Sequence, residues 1–164
     1  MKLDSLKKLY VHELKDLYSA ENQILAALPS MASAAKDAGL QKAFKDHQAE
    51  TKQHVLRLEQ IFKSLEFQPG GHHCKGMEGL LAEGKDMLKS DIDDDVRDAG
   101  LIAAAQRVEH YEIAGYGVAR TYAEKLGDFE AADLLQETLN EEGATDQKLS
   151  RLAERRINFM ARVS

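Results

Sequence analysis

Proline occurs twice in this chain, at Pro29 and Pro69, and residues 70–164 contain none. Proline inside a helix removes a backbone donor and costs about 3 kcal/mol. Long proline-free stretches rich in Ala, Leu, Glu, Lys and Gln therefore favour helix. No β-branched run alternates with period two, so the chain is expected to be all-α.

Apolar residues recur at helical spacing along four long segments. The first covers about 3–37, is expected to bend at Pro29, and carries Leu14, Leu17, Ile24 and Leu28 on one face, with Gly39 as a stop. The second covers about 40–65 and ends before Gln68-Pro69-Gly70-Gly71. The third starts near the acidic run at 91–95 and ends at Leu126, before Gly127. The fourth takes Asp128 as N-cap and runs to about 162. Few residues separate the first pair of segments and the second pair, which makes each an antiparallel hairpin. About thirty residues join the pairs, enough for a crossover along a bundle, and hold a shorter amphipathic piece at about 77–89.

Composition bounds the function. With 164 residues, one domain over 1–164 is expected, and it needs neither disulfide nor metal merely to fold. The net charge of −6 argues against nucleic acid as partner. No apolar run approaches 18 residues, and the N-terminus lacks the apolar core of a secretion signal. The single Cys74 excludes an internal disulfide, and a cytoplasmic location is expected.

The informative residues are carboxylates on faces that should be apolar. Positions 14, 17, 21, 24 and 28 read Leu, Leu, Glu, Ile, Leu, which places Glu21 inward. Positions 44, 47, 50, 54, 58 and 61 read Phe, His, Glu, His, Leu, Ile, so His47, Glu50 and His54 share a face. The third segment places Glu109 and Glu112 inward, and the fourth Glu142, with Asp146 one turn on. A single inward Glu is usually a surface residue out of register. Five from four helices would bring a charge of −5 into one region, and desolvation costs several kcal/mol per unpaired ion against a net stability of about 5–15 kcal/mol. Two divalent cations with neutral imidazoles would offset that charge, and a carboxylate-rich O/N set suits iron or manganese better than structural zinc. Glu21 to Glu50 spans 29 residues and Glu112 to Glu142 spans 30, so the hairpins present their carboxylates at matching heights. Tyr18, Tyr111 and Tyr116 stand within a turn or two and could hydrogen-bond the ligands or simply fill the core.

Leu17-Tyr18-Ser19-Ala20-Glu21, the segment His47 to Thr51, the run Cys74 to Leu80, the segment Ala103 to Ala114 and Thr138 to Glu142 together resemble the YciE/YciF bacterial stress-protein family, over nearly the whole chain. The resemblance implies a ferritin-like four-helix bundle with an additional short helix, and a homodimer. Rubrerythrin-like di-iron sites of that superfamily take Glu from helix one, Glu-x-x-His from helix two, Glu-x-x-Glu from helix three and Glu-x-x-His from helix four. Glu21, Glu50, Glu109, Glu112 and Glu142 match the carboxylates, with Glu50 and Glu142 as bridges. The histidines depart from the pattern, because Gln53 and Thr145 stand three residues after Glu50 and Glu142. His47 and His54 are the substitutes, with His47 expected nearer the metals, and Asp146 or water would replace the missing histidine of helix four.

The expected function is a di-metal protein, with two iron or manganese ions, acting in stress on peroxide or O₂ or in iron handling. The alternative is a metal-free structural or interaction protein on the same bundle. Other signals are weaker. His72-His73-Cys74 reads as incidental, His110 as a packed or interface residue, and Arg151, Arg155, Arg156 and Arg162 as complements of a helix dipole. Gly115, Gly117 and Gly143 suggest close backbone approach.

Overall fold

The computed structural model describes residues 2–89 and 91–163. Its elements are α1 (Leu6–Ala34), α2 (Ala38–Ser64), α3 (Lys75–Lys85) with a 3-10 turn at Asp86–Leu88, α4 (Asp94–Leu126), α5 (Phe129–Leu152), a π-helical turn (Ala153–Ile157) and α6 (Asn158–Val163). Side chains close the helix starts: Ser5 accepts from the Lys8 amide, Asp37 from Gly39 and Leu40, Cys74 from Met77, Asp93 from Asp95, and Asp128 from Ala131. Each satisfies an amide that the first turn leaves without a helical acceptor. Gly127 ends α4 at φ 77°, and the Asp128 amide reaches back to the Ala123 carbonyl, the Schellman arrangement that glycine adopts without strain. Pro29 lies inside α1.

α1 packs on α2 and α4, and α5 on α2 and α4, which closes four long helices into a bundle; α3 lies in the crossover against α1 and α4. Two differences from the periodicity stand out. The short helix starts at Lys75 because Cys74 caps it, and the last helix changes to a π-turn at Ala153 before resuming as α6. Of the three glycines, only Gly115 sits at a close approach: a Cβ there would lie 2.8 Å from Leu17 Cδ2, whereas Gly117 and Gly143 meet nothing within 4 Å.

The core is divided. One apolar cluster holds Ile24, Leu28, Phe44, Leu101, Val108 and Leu149, and the other holds Leu14, Leu17, Leu58, Phe62, Tyr116 and Leu135. Burying each such side chain contributes about 1.5–3 kcal/mol. Between the two halves lies a band of buried polar groups: Glu21, His47, His54, Glu109, Glu112, Thr138, Glu142 and Thr145.

Candidate metal centre

Each long helix of the bundle contributes to this band: Glu21 from α1, His47 and His54 from α2, Glu109 and Glu112 from α4, and Glu142 from α5. Their ligand atoms form two overlapping groups. His47, Glu109, Glu112 and Glu142 make one, and Glu21, His54 and Glu142 the other; within each, the atoms lie inside 4.8 Å of one another. Glu142 belongs to both. Among the described residues no lysine or arginine is buried, so the carboxylates have no permanent cation among them.

The arrangement leaves polar atoms without hydrogen bonds. Glu21 Oε2, both nitrogens of His47, His54 Nδ1, Glu109 Oε2 and both carboxylate oxygens of Glu112 and of Glu142 are buried and unpartnered. His54 Nδ1 stands 2.9 Å from Glu142 Oε1 and 3.3 Å from Glu21 Oε1, and His47 Nε2 stands 3.3 Å from Glu109 Oε1. These atoms face one another at 2.9–3.3 Å without a hydrogen bond between them. Buried polar groups are paired in most proteins. Four carboxylates and two imidazoles converging unpaired fit two divalent cations, whose charge of +4 would balance four ionised carboxylates.

In the metal-free bundle the charge is carried differently. Burial pushes the Glu109 and Glu112 carboxyls well above the usual range, and the nearby Glu142 charge pushes them further. Burial also raises Glu21, against the pull of His54. Burial works against a charged His54, but the Glu142 and Glu21 carboxylates outweigh it and raise the imidazole to about 10. Burial likewise opposes an ionised Glu142, yet His54 and Glu109 hold its carboxyl below the usual value.

A second layer orients these groups. His54 Nε2 is 2.9 Å from Glu141 Oε2, and Arg57 grips the same Glu141 at 2.5 and 3.0 Å while also reaching Glu137 and Thr138. Nε2–H donation to Glu141 fixes the tautomer that leaves Nδ1 facing the core. Tyr116, fully buried, donates its hydroxyl to Glu21 Oε1. The other two tyrosines lie elsewhere: Tyr18 donates to Glu59, and Tyr111 to Asp16 at 2.5 Å, beside Cys74. Glu141 and Arg57 were not legible as site residues, since both fall off the apolar stripes. The one available signal is that Glu141 directly precedes Glu142.

Six of the seven expected residues come together; Glu50 stands apart. Its side chain is 45% exposed, its Oε2 accepts from Thr145 Oγ1 at 3.3 Å, and it lies 3.8 Å from His47 Nδ1. At about 100° per residue, His47 and His54 fall within about 20° of one another, while Glu50 turns about 60° from His47 toward the rim. His47 falls in the group with Glu109, Glu112 and Glu142, and His54 in the group with Glu21 and Glu142. Thr145, where the superfamily pattern has a histidine, is buried facing Glu50, and His47 enters from the opposite helix beside Glu109. Asp146 accepts from Gln106 and lies outside both groups. His110 is 68% exposed rather than packed, and Cys74 is buried between Asp16 and Tyr111.

A four-helix bundle with a crossover and a buried carboxylate–histidine band defines the ferritin-like class, and solved structures agree. Ferritin-like, diiron-carboxylate proteins from Bacillus anthracis superpose with a TM-score of 0.69 over 93% of this chain and 99% of theirs at 17% identity, a likeness of fold. The chain belongs to the family described as Domain of unknown function (DUF892), whose pattern matches residues 5–162. It is 44% identical to Protein YciF of Escherichia coli (strain K12) over 162 residues, 98% of either chain. The crystal structure of the E. coli stress protein YciF matches with a TM-score of 0.91 over 95% of this chain and 99% of that one. YcfI from Rhodopseudomonas palustris matches at 0.87 and 39% identity, covering 92% and 97%.

Proposed function

We propose that the chain is a di-metal carboxylate protein that binds two iron or manganese ions in the bundle core and acts on a small oxidant, peroxide or O₂, during bacterial stress. The observation that carries the reading is the pair of His/Glu groups sharing Glu142 with their ligand atoms unpartnered. His47, Glu109 and Glu112 would hold one ion, Glu21 and His54 the other, and Glu142 both. Bound metal supplies Lewis-acid and redox chemistry. The chain's own part is to keep His54 in one tautomer through Glu141 and Arg57, to hold Glu21 through Tyr116, and to limit access. A cavity of about 20 Å³, walled by Ile24, Leu28, Phe44 and Val108, reaches His47 and Glu109 and has room for a water-sized molecule. The similarity to YciF, called a stress protein, supports the stress setting. A homodimer in the cytoplasm completes the proposal.

A metal-free structural or interaction protein is the second reading, favoured by His54, whose contacts to Glu21 and Glu142 neutralise part of the core without metal. Metal analysis after aerobic reconstitution of the full chain with Fe(II) or Mn(II) separates the two. About two ions per chain supports the first reading and none supports the second. Size-exclusion chromatography showing only a dimer would dismiss a hollow iron-storage shell.

A further inference from the structure

Away from the metal centre, a cavity of about 660 Å³ opens between the α1–α2 connection, the start of α4 and the C-terminal helical segment. Its size falls within the range of small-molecule sites. In a chain of net charge −6 this groove is cationic: Lys36, Lys148, Arg151, Arg155 and Arg156 line it against three aspartates.

The aspartates are engaged by the protein. Asp98, buried, accepts the Lys36 and Asp37 amides at 2.8 and 2.7 Å, Asp37 caps α2, and Asp95 pairs with Lys36 at 2.8 Å. Lys148 is taken by Asp46 at 2.7 Å. Among the described residues Arg151 and Arg155 have no carboxylate partner, and Arg156 reaches Asp37 only at 3.6 Å. Arg151 and Arg155 stand four residues apart on one helical stretch, a spacing at which like charges repel. The helix dipole does not account for them. Its field acts within the last turn, and the helical path continues past them through the π-turn to Val163.

The floor is apolar. Leu152, Ile157 and Met160 line it, and Gly39 packs closely beside them, since a Cβ there would come within 2.9 Å of Asp37 Oδ1 and 3.2 Å of Leu152 Cδ2. The π-turn at Ala153–Ile157 carries Arg155, Arg156 and the floor residue Ile157, and π-turns inside helices frequently mark functional sites.

We propose that this groove binds a small amphiphilic phosphate monoester, its phosphate between Arg151, Arg155 and Arg156 and its apolar body on Leu152, Ile157 and Met160. Guanidinium forks match phosphate oxygens in paired hydrogen bonds, and a dianion balances two unpaired arginines.

The test titrates methyl-labelled full-length protein with 1-naphthyl phosphate and follows the Leu152, Ile157 and Met160 methyl signals. Saturable shifts at these three are expected. R151Q/R155Q should weaken binding at least tenfold while keeping the same melting temperature, because both side chains are exposed; R151K/R155K should retain more of it. Inorganic phosphate and 1-naphthol should each bind at least tenfold more weakly, as each lacks one half of the ligand. Absence of saturable shifts, or indifference to R151Q/R155Q, overturns the site. Equal binding of 1-naphthoate overturns the assignment to phosphate. Concentration-dependent self-association that R151Q/R155Q abolishes, with no shift from 1-naphthyl phosphate, assigns the groove to a second copy and overturns the proposal.

Discussion

Glu142→Gln is the substitution that most sharply tests the shared-ligand geometry. The substitution keeps the side-chain volume and removes the one charge common to both groups. In the metal-free protein the effects oppose each other. His54 loses a contact at 2.9 Å but keeps Glu21 and Glu141, while Glu109 and Glu112 lose the like charge that pushes them up. The metal-free melting temperature should therefore move little. The loaded protein behaves differently. An ion at 100 times its Kd stabilises by about 2.7 kcal/mol per site, and a domain of this size gains about 2–4 °C per kcal/mol. Wild type should then gain about 11–22 °C with two sites filled. Glu142→Gln should gain almost nothing, and Glu21→Gln, which disturbs one group, should keep about 5–11 °C. The assay is thermal unfolding by circular dichroism with and without Mn(II) under anaerobic conditions. A Glu142→Gln protein with the full wild-type gain, or a Glu21→Gln protein with none, would refute the two-group arrangement.

Three further outcomes follow from the same structure. His47→Gln and His54→Gln should each weaken one of two metal positions ~10–100-fold and spare the other; calorimetric titration showing both positions lost with His47 and neither with His54 would contradict the split. The metal-free protein should be less stable at pH 8 than at pH 5. Glu109, Glu112, Glu21 and His54 all have raised folded pKa values, so their contributions are full below the unfolded values and fade as pH rises toward the folded ones, that of His54 up to about 10. The lowered Glu142 contributes only above the ordinary carboxyl range and is level across this window; urea midpoints that rise from pH 5 to pH 8 would oppose the assignment. Asp98→Ala should cost about 3 kcal/mol, because two backbone amides at the α1–α2 connection lose a charged acceptor; urea unfolding with an unchanged midpoint would contradict it.

The helices were legible because local rules govern them. Proline scarcity, 3.6-residue periodicity and capping residues such as Asp128 act within a few residues, and the bounds of α2 and α4 and the start of α5 follow them closely. The inward carboxylates were also legible, since a Glu between Leu and Ile on one stripe needs only the helical repeat to be placed. Other features were decided between helices. Glu50 lies about 60° around α2 from His47, and whether that angle points at the core or the rim depends on how α5 packs there with Thr145. Glu141 meets His54 across 87 residues of chain and Arg57 across 84, so no local pattern announces these contacts. The assignment of His47 and His54 to two different groups is likewise set by the heights of Glu21 on α1 and Glu109 on α4. The groove at Arg151 and Arg155 exists only because the α1–α2 connection and the π-turned C-terminal helix close around one space. The chain's own repeat specifies what each helix carries on each face; the relative rotation and height of the helices, set by core packing, decide which of those groups meet.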